Sequence, residues 1–161
     1  MSLVFGSIYL LSAGLLLVAA YTDFKDRLIP NWISVALICL YAILAGMLIW
    51  FADSSILPTL VYPFGVAAAV FAFGLFLFAK NIMGGGDIKL LTAMSLFAGT
   101  RFIGSFLIYT AIIGGIIALV MVIYKQIVQD SGKKASQVPY GIAISLSGVW
   151  VLYQKYIQFD Q

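Results

Sequence analysis

The acid–base chemistry open to this chain is confined to its aspartates. It has six of them, no glutamate, no histidine and a single cysteine, Cys39, which lies in an apolar run. Without histidine, Ser-His and Cys-His nucleophilic machinery and the usual zinc-hydrolase ligand sets are excluded, and one cysteine builds neither a disulfide nor a thiolate zinc site. What remains is carboxylate chemistry. Two carboxylates sharing one site cannot both ionise comfortably, so one keeps a proton while the other is a base. Such a pair activates water and protonates a leaving amine with no metal and no cofactor.

Two regions remain where that chemistry is plausible. Asp53, Asp130 and Asp160 fall in an outer loop, an inner polar loop and the C-terminal end, where water solvates them. Asp23 lies in Y-T-D-F-K-D-R-L-I-P-N-W, residues 21–32, about where a first helix reaches the membrane surface. Pro30 forces Ile29 toward an extended or turn conformation, so a second helix begins at Asn31 and Trp32. Asn31 either caps that helix or orients a catalytic carboxylate, and Trp32 reads as an interfacial anchor. Asp87 lies in N-I-M-G-G-G-D-I-K-L-L, residues 81–91. At the start of a short helix its charge is stabilised by free N–H groups and the helix dipole. A simple N-cap needs one glycine. Three leave the backbone bare on both faces, which lets a ligand or an extended peptide approach closely. A phosphate cradle is not indicated, because G-x-x-x-x-G-K-[ST] and a preceding strand are both missing.

The elements that position these residues are membrane helices. Of the 161 residues 63% are hydrophobic and 9% charged, and the mean hydropathy is +1.10, far outside the range of soluble domains. The expected fold is an all-α polytopic membrane protein with about six transmembrane helices, a single domain over 1–161 with no soluble domain. The candidate spans are Leu3 to Ala20, Trp32 to Phe51, Ile56 to Ala79, Ile88 to Ala98, Phe102 to Tyr124 and Pro139 to Tyr156. No basic region precedes the first, so it is expected to be retained rather than cleaved as a signal. Threaded alternately, the spans put Lys25, Arg27, Lys80, Lys89, Lys125, Lys133 and Lys134 on one side and Arg101 and Lys155 on the other. That makes the first side cytoplasmic and the chain N-out and C-out. The short fourth span crosses rather than re-enters, since re-entry would move three lysines outside. It is extended by the glycine segment or met by a buried loop at Gly99 and Thr100. The polar stretch from Lys125 to Gln137 reads as a solvated loop near anionic headgroups, and Gly114-Gly115 as a place of close helix packing.

At this point the motifs carry a resemblance. G-G-G-D-I-K at 84–89 is similar to the G-x-G-D-x-K motif of the type IV prepilin peptidase family, the GxGD-type intramembrane aspartyl proteases. D-F-K-D-R-L-I-P-N at 23–31 resembles the family's other signature, an aspartate followed six residues later by I-P-N, and V-P-Y-G-I-A-I at 138–144 resembles the segment that opens its last helix. The resemblance implies Asp23 and Asp87 as the catalytic dyad, with Asp26 a decoy, and Gly84 and Gly86 as the glycines that position the second aspartate. Lys89 matches the motif's lysine, its role being substrate contact, charge support or anchorage of the fourth helix. It further implies an endopeptidase of the bacterial cytoplasmic (inner) membrane, multi-pass, with its active site facing the cytoplasm. Its substrate would be a prepilin with a basic leader and a hydrophobic helix, its other partner the lipid bilayer, with no nucleic acid and the oligomeric state left open.

The longer family members carry a cytoplasmic C-x-x-C zinc insertion between the first two helices and also methylate the new N-terminus. This chain has neither the insertion nor the cysteines, so it looks like the short form of tight-adherence (Flp-type) pilus systems, with methyltransferase activity doubtful. An archaeal preflagellin peptidase is the nearest sister reading. The competing class is a small proton- or cation-coupled transporter, but transporter carboxylates tend to lie near the bilayer midplane in interrupted helices, and no inverted repeat is visible.

Overall fold

The computed structural model describes residues 2–51, 54–128 and 139–160, and these are all helix and short connections. Helix α1 spans Ser2–Asp26, α2 Asn31–Phe51, α3 Tyr62–Ala79, α4 Gly85–Val128 and α5 Tyr140–Asp160, with a π-helical turn, Leu57–Val61, leading into α3. Among the described residues four segments are long and apolar enough to cross a bilayer: Val4–Asp26, Asn31–Phe51, Leu57–Ala79 and Gly85–Tyr124. Leu10, Leu17, Ile43, Phe73 and Ile116 are among the many large apolar side chains left on the surface, a coat that suits lipid and not water. The chain is an all-α membrane protein.

The 40 residues from Gly85 to Tyr124 would rise about 60 Å as one straight helix, twice the roughly 30 Å hydrocarbon core. They do not run straight. Gly99 has φ 56° and ψ −164°, a conformation that glycine alone adopts readily, and the helix folds back there. Two contacts with α5 show it. Gly148 packs on Met94 while the neighbouring Ser147 shares a hydrogen bond with Thr110 at 2.6 Å, so residues on either side of Gly99 lie at one level. The arm over 85–98 is the short fourth element expected from the sequence. It begins at Gly85, not Ile88, because the glycines themselves form its first turn.

Helix α1 also outlasts its apolar run, which ends at Ala20, and continues to Asp26, so Asp23 stands on a helix and not in a loop. Residues 28–30 carry no regular structure, and α2 starts at Asn31 immediately after Pro30. The core lies where α1, α2, the 85–98 arm and α5 meet, with Leu16, Ile33, Leu37, Leu90, Met94, Phe97 and Ile144 fully buried. At the end away from Asp87, Tyr41 donates its hydroxyl to the Thr59 carbonyl at 2.7 Å. Of the glycine pair in the 100–128 arm, Gly114 packs closely, its missing Cβ falling 3.0 Å from Tyr140, whereas Gly115 faces open space. The aspartates 53 and 130 and the lysines 133 and 134 lie outside the described residues.

Candidate active site

Two helix caps hold the site. Arg27 is left-handed, φ 55°, and its N–H returns to the Asp23 carbonyl at 3.1 Å, which closes α1 on the residue that matters. Helix α3 ends in the same way at Asn81, φ 56°. There Asn81 N–H bonds the Phe78 carbonyl at 2.8 Å and Ile82 N–H the Leu77 carbonyl at 3.0 Å, the paired hydrogen bonds of a Schellman motif. Asparagine accepts this conformation more readily than most residues. The chain then bends through Met83 and Gly84 into α4.

Asp87 is the third residue of α4. Its Oδ2 accepts the N–H of Gly84 at a long 3.3 Å, as an acidic residue in the first turn does when it reaches back to the helix start. It stands inside the first turn and not at the N-cap: Gly84 precedes the helix, and Gly85 and Gly86 belong to it. The glycines serve close packing. A Cβ on Gly84 would lie 2.9 Å from Asp87 Oδ2, and one on Gly86 would lie 3.3 Å from Ile29 Cβ and 3.4 Å from its carbonyl oxygen, whereas one on Gly85 would make ordinary contact with Phe78 at 3.6 Å. None of the three has a positive φ.

Asp23 is buried. Its Oδ2 accepts the N–H of Gly141, in the first turn of α5, at 2.8 Å. A Cβ on Gly141 would fall 2.8 Å from that oxygen and 2.7 Å from Ile29 Cδ1, so no other residue fits there without displacement. Gly141 was not among the residues read from the sequence as a site. The P-Y-G run was visible, but a backbone donor leaves no side-chain signal.

Asp23 and Asp87 line one cavity of about 720 Å³, together with Asn31, Asn81, Tyr140 and the glycines 84–86. The two carboxylates are close enough for the charge of Asp23 to act on Asp87. Asn31 is the first residue of α2, and its Oδ1 accepts from Lys89 Nζ at 2.9 Å, tying the start of α2 to the start of α4. Lys89 is exposed and does not line the cavity. Asp26 is exposed and also outside it. Among the described residues no three metal-ligating side chains gather. The arrangement is two carboxylates at the ends of two helices, one braced by a backbone donor from a third, around a shared cavity.

The family model described as the Type IV leader peptidase family matches residues 10–119, which include both aspartates and end before α5. The chain is similar to the prepilin peptidase EppA of Methanocaldococcus jannaschii, with 30% identity over 126 residues, covering 73% of this chain and 33% of that protein. The chain thus spans about a third of the length of that relative. No solved structure matches it.

Proposed function

The chain belongs to the type IV leader peptidase family, and we propose that it is a membrane aspartyl endopeptidase that removes the leader peptide of prepilin-type substrates. The observation that carries this reading is the shared cavity of Asp23 and Asp87, two carboxylates brought together from α1 and α4. With one proton between them, the ionised carboxylate takes a proton from water while the water oxygen attacks the scissile carbonyl carbon. The protonated carboxyl gives its proton to the carbonyl oxygen. Collapse of the resulting diol breaks the C–N bond as the leaving nitrogen takes up a proton, and the dyad returns to its starting state. Gly141 N–H suits Asp23 to hold the charge in this cycle.

The finer reading is of six crossing segments, N-out and C-out, with 85–98 and 100–128 counted separately and α5 as the last. The dyad then faces the cytoplasm, supported by Lys25, Arg27, Lys80 and Lys89 gathering at its end while Arg101 and Lys155 lie at the other. Flp-type prepilins of a bacterial inner membrane are the proposed substrates, and Gly84 and Gly86 the residues that position Asp87 beside them. The test is incubation of the protein in lipid with a candidate prepilin. A mass loss equal to the leader supports the proposal, and an unchanged substrate with every prepilin class offered overturns it.

A further inference from the structure

Besides a groove of about 570 Å³ between α1 and α5, which shares no residue with the cavity of Asp23 and Asp87, two apolar grooves of similar size run along the lipid-facing surface. One, of about 600 Å³, lies between α1 and α2 and is lined by Leu11, Leu15, Cys39 and Ile43 among others. The other, of about 620 Å³, lies between α3 and the two arms of α4, with Val66, Val70, Phe73 and Leu77 along one wall and Ile103 and Leu107 along the other. Only the second reaches the candidate active site. Ile82, Met83 and Tyr140 line both this groove and the cavity that holds Asp23 and Asp87, and the first groove shares no residue with that cavity.

We propose that the groove between α3 and the 100–128 arm is where the substrate docks an apolar helical segment that adjoins its scissile bond. This inference rests on the peptidase reading above. The wall positions 66, 70, 73 and 77 recur at helical spacing and cover about 16 Å along α3, three turns of a helix laid alongside. Ala69 and Ala111 line the same groove, and small residues let a second helix approach closely where lipid supplies no hydrophobic drive. Beyond the three shared residues the lining gains two carboxylates, the amides of Asn31 and Asn81, the Arg27 side chain and the backbone of the glycines 84–86. A chain lying across that boundary has to be a buried helix on one side and unwound on the other, because a peptide bond inside a helix is closed to attack. The groove holds the first part, and the polar cavity offers partners to the N–H and C=O groups freed in the second. Tyr140 stands at the boundary, its ring held against Gly114.

The experiment places a photo-crosslinking amino acid at Phe73, Ala111 or Ile43 in the full-length Asp87→Asn protein, reconstituted in phosphatidylcholine vesicles with an uncleaved prepilin. Crosslinks from Phe73 and Ala111 to the apolar segment next to the leader, with none from Ile43, are expected. Equal crosslinking from Ile43, or crosslinks from Phe73 and Ala111 to lipid alone, would overturn the groove. In the otherwise unchanged protein, Ala111→Trp is expected to raise KM for the prepilin about tenfold with kcat little altered, while Ile43→Trp leaves both as they were. A fall in kcat at constant KM overturns docking, and if Ala111→Trp fails to accumulate the crosslinks decide. Failure of the unchanged protein to shorten the prepilin sinks the peptidase reading and leaves the crosslinking result to be judged separately.

Discussion

The N–H of Gly141 reaches Oδ2 of Asp23 across 2.8 Å and 118 residues of sequence. A main-chain donor in the first turn of the last helix thus holds the carboxylate at the end of the first. Because a Cβ at Gly141 would press on both Asp23 and Ile29, Gly141→Ala should lower the initial cleavage rate by about tenfold or more, with protein still accumulating in the membrane. Gly115→Ala, at a position that faces open space, should leave the rate unchanged. Equal tolerance at the two positions would show that the close fit at Gly141 does not govern the geometry of Asp23.

Asp23→Asn and Asp87→Asn should each reduce cleavage roughly 1,000-fold, since each keeps the shape of the side chain and removes a titrating carboxyl. Asp26→Asn, altering an exposed side chain outside the cavity, should retain most activity. An inactive Asp26→Asn beside an active Asp23→Asn would reassign the dyad.

The three glycines before Asp87 should not respond alike. Gly85→Ala meets only ordinary contact with Phe78, whereas alanine at 84 crowds the Asp87 carboxylate and alanine at 86 crowds the Ile29 backbone. Initial rates should therefore fall least at 85, with valine at 84 or 86 sharply worse than alanine. A uniform response across the series would make the run an incidental turn.

Lys89 and Asn31 strap α4 to α2 through one exposed hydrogen bond. Lys89→Ala and Asn31→Ala should each destabilise the protein slightly, and the double variant by less than their sum, with a coupling below about 1 kcal/mol at this exposed position. Thermal unfolding in detergent of the four proteins measures it. Strict additivity would mean that the contact contributes nothing.

Cleavage should survive both EDTA and thiol alkylation, because a chain without histidine or glutamate and with one cysteine offers no metal set or essential thiol. Loss of turnover on chelation, restored by a divalent ion, would count against the carboxylate mechanism.

Much of the fold is legible in hydropathy alone, because a lipid-facing helix has to be apolar over a fixed length. The start of α2 after Pro30 follows from one residue's covalent geometry. Other features are not legible in that way. Helix α1 runs on to Asp26 because helicity does not stop where hydrophobicity does, and its end is set by the left-handed Arg27, a residue type that gives no such warning. The glycine run reads as bare backbone in the sequence, yet its nearest neighbours are the protein's own Asp87, Ile29 and Phe78. The partnership of Lys89 with Asn31 joins positions 58 residues apart, and only the packing of α2 on α4 brings them together.

The bracing of Asp23 by α5 has a consequence for biosynthesis. A ribosome-bound chain that has inserted everything through residue 128 already holds both aspartates, but it lacks the donor at Gly141. On the proposed reading it would be incompetent as a protease until α5 enters the membrane, so the order of synthesis itself would delay hydrolysis until that helix is in place.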